Sequence, residues 1–281
     1  MRCLILAIDS LEYEIAKNFP NLTQEEFGRS IVPITSDGEA YTPVVWGSFI
    51  TGLTPEEHAI YEGPKLNWQN PVLEKLHNFI KSRRNFNLRY SEGLGKLAVK
   101  LGFEQSRNHI FHTADDFKSK NISTIFDDAK KPIAMSIPSY NEENVNQHFR
   151  ERLGEVYQKG LPEEALEAEA REVFNKRAQR IYKILEEDWD LFMVHLFIVD
   201  TFGHLYPNRT SKFEELYSEM NDFVGEVKKK LDDTFIFVIS DHGHRNGHHT
   251  PYGFYSANEI LGLHFPKITD FHDIILEVLS R

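Results

Sequence analysis

Four short apolar runs constrain this chain most: residues 3–8, 133–137, 191–199 and 235–239, each nearly uninterrupted and built mainly from Ile, Val, Leu, Phe and Met. A strand with one wet face alternates apolar and polar residues. A strand without alternation is buried on both faces, as in parallel sheets covered by helices. The runs are too short for buried helices and end in turn or polar residues. Amphipathic segments separate them. Residues 163–187 repeat Leu166, Ala170, Phe174, Ala178, Ile181 and Leu185 at helical spacing, with Pro162 suited to the first turn. Residues 212–231 repeat Phe213, Leu216, Met220, Phe223, Val227 and Leu231. Ser211 and Glu214 predict a capping box there, and Lys228, Lys229 and Lys230 suit the C-terminal end. Residues 270–280 read as a last helix. The order predicts an α/β fold: a largely parallel central sheet with helices on both faces.

With 281 residues, 41% of them hydrophobic, the chain can bury a sizeable core, and one domain over 1–281 is expected. Residues 64–121 are rich in Asn, Lys and Arg with a weak apolar pattern, which predicts an inserted segment of helices and loops. A net charge of -11 disfavours a nucleic acid polymer or an acidic membrane surface as partner. A small phosphorylated substrate remains open, because bound metals reset the local charge. Cys3 is the only cysteine, so neither an internal disulfide nor a zinc site of several thiolates can form, which suits a reducing cytosol. The first apolar run stops at Asp9, too short for a signal peptide, and no stretch approaches the roughly 20 apolar residues of a membrane span. A soluble, cytoplasmic protein is the expectation.

Chemistry gathers where the runs end. Asp9 closes the first. Asp200 and His204 follow Val-His-Leu-Phe-Ile-Val (194–199), and Asp241 and His242 follow Phe-Ile-Phe-Val-Ile-Ser (235–240). In open α/β sheets, functional side chains collect at the carboxyl ends of strands. A lone Asp there is as readily a turn former or helix cap. The histidines change the balance. Asp200 and His204 are spaced i, i+4 and can reach one ion, and four of the 13 histidines (His242, His244, His248 and His249) crowd into one short span. Three carboxylates with three imidazoles suffice for two divalent metal ions. Zinc fits these ligand types best, and manganese or iron also fit. Thr42 precedes Pro43, which marks a helix start running through Trp46 and Phe49, with Thr42 as the expected N-cap. A helix N-terminus favours anions, so beside two metals the Thr42 hydroxyl becomes the natural nucleophile.

The ordered set of Asp9, Thr42-Pro43, Thr51-Gly52 with His58, Asp200-x-x-x-His204, Ser240-Asp241-His242-Gly243 and His249-x-Pro-x-Gly253 resembles the alkaline phosphatase superfamily. Within it the chain is most similar to the type I phosphodiesterase/nucleotide pyrophosphatase branch. The resemblance implies one ion held by Asp200, His204 and His249, and another by Asp9, Asp241 and His242 with Thr42 adjoining. His249 is preferred to His248 for its spacing to Gly253. His244 is less favoured, and His195, inside an apolar run, reads as a hydrogen-bonded core residue.

The implied activity is hydrolysis of phosphodiester or pyrophosphate bonds through a phosphothreonine. Alternatives are a phosphomonoesterase or phosphotransferase on the same site, or an idle scaffold that binds a phosphorylated ligand. Two divalent ions would exceed the three carboxylates by one positive charge and attract a phosphoryl group. The pattern departs at Val45, where nucleotide pyrophosphatases carry a phosphate-binding Asn. Arg245 and Lys65 are the basic residues available to replace it, although a solvated surface charge is the commoner role.

Overall fold

A computed structural model describes residues 1–35, 38–60, 65–68, 105–108, 112–207 and 209–281. The chain forms two compact units, Met1–Tyr61 with His112–Arg281, and Glu62–Phe111. In the smaller unit, β3 (Lys65–Trp68) and β4 (Gln105–Asn108) pair antiparallel. The rest of the segment expected as helices and loops, up to residue 111, lies outside the described residues.

The larger unit is built on the apolar runs. Its sheet holds β1 (Arg2–Ile8), β2 (Glu26–Ile31), β5 (Pro132–Met135), β6 (Leu191–Leu196), β7 (Thr234–Ser240) and β10 (Tyr252–Ala257), in the order β2-β10-β7-β1-β6-β5. Strands β5, β6, β1 and β7 run parallel, and β10 lies antiparallel to both β7 and β2. Every residue of β6 and β7 is buried. That is why their sequences show no alternation.

Helices cover both faces, as the missing alternation requires. Leu4, Leu6 and Ile8 pack with residues of α7 (Glu163–Leu185), α8 (Ile198–Leu205) and α9 (Thr210–Lys229). Cys3, Ile5 and Ala7 pack on the other face with residues of α2 (Thr42–Thr51) and α10 (Asp270–Ser280). Shorter helices α1 (Tyr13–Ala16), α3 (Pro55–His58), α4 (Ala114–Ser119) and α5 (Ile125–Asp128), with α6 (Asn144–Lys159), complete the described set. No described helix is long and apolar enough to cross a membrane.

Three local expectations are corrected. The run 191–199 is not one strand: β6 ends at Leu196, and Ile198 and Val199 begin α8. An apolar run shared by a buried strand and a buried helix carries no mark at the junction. The Ser211–Glu214 capping box does not form, because α9 starts at Thr210 with Arg209 at its N-cap. Thr42 is the first helical residue of α2 and Tyr41 is the N-cap, so the Thr42 hydroxyl is not spent on the helix.

The junction between β7 and β10 has little tolerance. A Cβ at Gly253 would stand 2.3 Å from the carbonyl oxygen of Ser240 and 2.7 Å from Ser30 Oγ. The nearest atom is backbone and cannot rotate away. Gly253→Ala is therefore expected to cost about 2 kcal/mol of stability, as overpacking a tight core does, measured as a lower urea midpoint. An unchanged midpoint would mean that β10 can move off β7.

Candidate metal centre

The sheet register assembles the site. Ile8 pairs with Leu196, and Ala7 with His195 and Ile239, so β1, β6 and β7 end level. The Asp9 amide donates to Leu196 O at 2.9 Å. Asp9 and Asp241 thus leave adjacent strands side by side. Asp200 sits in the first turn of α8, with His204 one turn later on the same face.

The last imidazole comes from a hairpin. Strands β8 (His244–Arg245) and β9 (His248–His249) pair antiparallel, with His244 opposite His249 and Arg245 opposite His248. The connecting Asn246 and Gly247 have φ of +53° and +84°, the positive values that two-residue hairpin turns require. Alternation along these arms sends His244 and His249 to one side. The His248 side chain is 78% exposed and lies 3.6 Å from Glu39.

Helix α2 brings Thr42. Ser139 Oγ donates to Pro43 O at 2.6 Å, tying the start of the helix to the loop after β5. Ser48 Oγ lies 2.9 Å from His58 Nε2, and the Ile60 amide donates to His58 Nδ1 at 3.0 Å. Burial pushes His58 down to about 4, so its imidazole is neutral. His58 is a buried strut for α2.

Two groups of donors result. Around His242 Nε2 lie Thr42 Oγ1 at 3.1 Å, Asp241 Oδ2 at 3.2 Å and Asp9 Oδ1 at 3.5 Å. Around Asp200 Oδ1 lie His204 Nε2 at 3.4 Å and His249 Nε2 at 3.5 Å, and these nitrogens are 3.2 Å apart. The groups adjoin, because the His242 and His249 rings stack with centroids 3.8 Å apart. The rear nitrogens are anchored too. His249 Nδ1 faces Ala40 O at 3.1 Å, and His242 Nδ1 faces Gly243 O at 3.2 Å. Such rear bonds orient an imidazole and fix its tautomer for a metal. His195 is buried in β6 with Nε2 3.2 Å from Asp9 Oδ2, in the hydrogen-bonded core role its sequence suggested.

Desolvation disfavours a charged imidazole at both His204 and His249. The Asp200 carboxylate outweighs it, raising His204 and pushing His249 up to about 9. Desolvation would raise Asp200 in turn, but the two imidazoles hold it well below the usual carboxylate range. Burial lowers His242, and it lowers His244 to about 3.

A divalent cation fits this cluster. Asp9 and Asp241 are 4% and 0% exposed, and burying two carboxylates is costly unless charge or hydrogen bonds offset it. The buried Asp241 Oδ2 accepts no hydrogen bond. Neither does the buried His244 ring find a partner at either nitrogen. Donor atoms of His204, His244 and His249 lie within 4.8 Å of one another, as do those of Asp200, His242 and His249, and those of Asp9, Asp241 and His242. His244, disfavoured on sequence, therefore faces the cluster. Gly203 makes room for it, since a Cβ there would stand 2.6 Å from the His244 ring. The Asn246-Gly247 turn was the available sequence signal, because it sets the alternation that turns both histidines inward.

Arg245 projects from the other side of the hairpin, 3.2 Å from Glu12 Oε1. The Lys65 side chain lies outside the described residues. Val45 is fully buried in the core beneath α2 and offers no polar atom.

No curated protein matches the chain by sequence. Among solved structures, the PH0037 protein from Pyrococcus horikoshii is similar over 99% of this chain and 97% of that one, at 11% identity and a TM-score of 0.50. Human ectonucleotide pyrophosphatase/phosphodiesterase 5 is similar over 86% of this chain, at 15% identity and a TM-score of 0.44, and the match spans 57% of the human chain. An alkaline phosphatase from the Antarctic bacterium TAB5 is similar over 99% of this chain and 98% of its own, at 12% identity and a TM-score of 0.45. A family model described as type I phosphodiesterase/nucleotide pyrophosphatase matches residues 3–264, and the chain belongs to that family.

Proposed function

We propose that the chain hydrolyses phosphodiester or pyrophosphate bonds of a small phosphorylated substrate, with two divalent ions and a phosphothreonine formed on Thr42. The placement of the Thr42 hydroxyl carries this reading. It stands at a helix N-terminus, free of capping, 3.1 Å from His242 Nε2 and beside two buried carboxylates.

In this reading Asp9, Asp241 and His242 hold one ion next to Thr42, and Asp200, His204 and His249 hold the other. When bound, the ions lower the pKa of the hydroxyl and stabilise the attacking and leaving oxygens of an in-line displacement. The rest falls to the chain. The N-terminus of α2 favours the anion at Thr42 Oγ1. Once deprotonated, that oxygen forms a bond to phosphorus as the bond to the leaving oxygen breaks. Water then bonds to phosphorus, and the Thr42 ester bond breaks. Ala40 O and Gly243 O keep the two imidazoles oriented throughout.

The lean toward diesters rests on charge. A monoester dianion gains from an added cation, and Arg245 is already held by Glu12. Zinc remains the metal that best fits this set of imidazoles and carboxylates.

Thr42→Ala is expected to lower turnover of bis(4-nitrophenyl) phosphate by about 10³-fold or more, while elemental analysis still finds two ions per chain. Turnover at the wild-type rate would end the Thr42 assignment. Dialysis against a chelator should abolish activity and added zinc should restore it. The chelated protein should also unfold more easily, because a ligand present at about 100 times its Kd stabilises the fold by about 2.7 kcal/mol. A thermal scan unmoved by the chelator would argue against resident metal.

A further inference from the structure

Ser10 follows Asp9 at the end of β1, is fully buried, and has φ of +67°. That left-handed conformation costs a residue other than glycine on the order of 1 kcal/mol. A serine held there at such cost invites a reason in its side chain.

The hydroxyl reaches both halves of the cluster. Ser10 Oγ lies 2.8 Å from Asp200 Oδ1 and 3.1 Å from His242 Nδ1. The Ser10 amide also donates to Asp241 Oδ1 at 3.4 Å. A hydroxyl has one proton to give and lone pairs to receive. Asp200 can only accept, so the proton goes to Asp200, and a lone pair accepts from Nδ1–H of His242. With its proton on Nδ1, His242 turns a lone pair on Nε2 toward Thr42, Asp9 and Asp241. Asp200 belongs to one proposed ion position and His242 to the other.

We propose that Ser10 is a positioning residue that couples the two metal positions, its hydroxyl holding Asp200 and His242 together in their ligating orientations. This rests on the two-ion reading above. Residues that hydrogen-bond to metal ligands typically contribute 10- to 100-fold to metal affinity. The low end applies here, because Gly243 O, at 3.2 Å, also accepts from His242 Nδ1.

Calorimetric titration of the metal-free full chain with zinc tests the proposal in wild type, Ser10→Ala and Ser10→Gly. Both variants should bind both ions about 10-fold more weakly, with far-ultraviolet circular dichroism of the metal-free protein unchanged. The pair separates hydroxyl from backbone. Glycine adopts the left-handed turn without strain, so a serine needed only for the turn would leave Ser10→Gly binding zinc as wild type does, and the proposal would fall. It would also fall if only one of the two binding steps weakened, because Ser10 would then serve one position. A wild-type isotherm with fewer than two ions would overturn the two-ion reading itself, and this inference with it.

Discussion

The site depends on the level ending of three parallel strands. Strand β1 lies between β6 and β7 with Ala7 opposite both His195 and Ile239, and the Asp9 amide closes the last rung on Leu196 O. Side chains alternate faces along a strand, so a slip of one residue would send Asp9 to the other face. The register is held by hydrophobic burial on both sides of β1. Leu4, Leu6 and Ile8 fill one core, and Cys3, Ile5 and Ala7 the other. The geometry of the polar cluster is therefore enforced by apolar packing on both faces of β1.

That dependence explains which parts of the molecule were legible in the sequence. Unbroken apolar runs announce strands covered on both faces, and chemistry at their ends follows from how such sheets are built. Asp9 and the Asp241-His242 pair stand at two of those ends. The sequence suggests Asp200 at the end of a third, yet it lies within a helix, because Phe197, Ile198 and Val199 are as apolar as the strand before them. The hairpin histidines were harder still. Four imidazoles in a short span do not say which face inward, until Asn246-Gly247 is read as a two-residue turn that alternates its arms. Thr before Pro is a common cap pair and suggests an N-cap at Thr42. One position of difference decides whether its hydroxyl serves the helix or faces His242.

Two glycines beside the site have physical meanings that spacing alone does not supply. Gly243 does not adopt a left-handed turn. A Cβ there would stand 2.4 Å from Glu12 Oε2 and 2.6 Å from Thr250 Oγ1, so the need is space where the loop after β7 crosses the loop after β1. Gly203 leaves room for the His244 ring in the same way. Ser10 is the reverse case. It keeps a side chain where the backbone favours glycine, and that side chain is the one that reaches both groups of donors.

Charge links the fold to the chemistry. Asp9 and Asp241 are buried, His242 beside them is kept neutral by burial, and His195, also against Asp9, is itself an imidazole within the core. A divalent ion held between Asp9 and Asp241 would offset the cost of burying both carboxylates. On the other side Asp200 draws protons onto His204 and His249, whose Nε2 atoms already approach each other. Two imidazoles cannot both remain protonated at 3.2 Å without repulsion, and a bound cation would replace those protons with a charge that both nitrogens can share. In the two-ion reading, the same replacement would leave the centre positive in a chain of net charge -11. In that reading, the net negative charge of the chain disfavours extended polyanions, while the ions would attract a small phosphoryl group. Attraction of the phosphoryl group would then come from the ions and would need no polar side chain at the position of Val45.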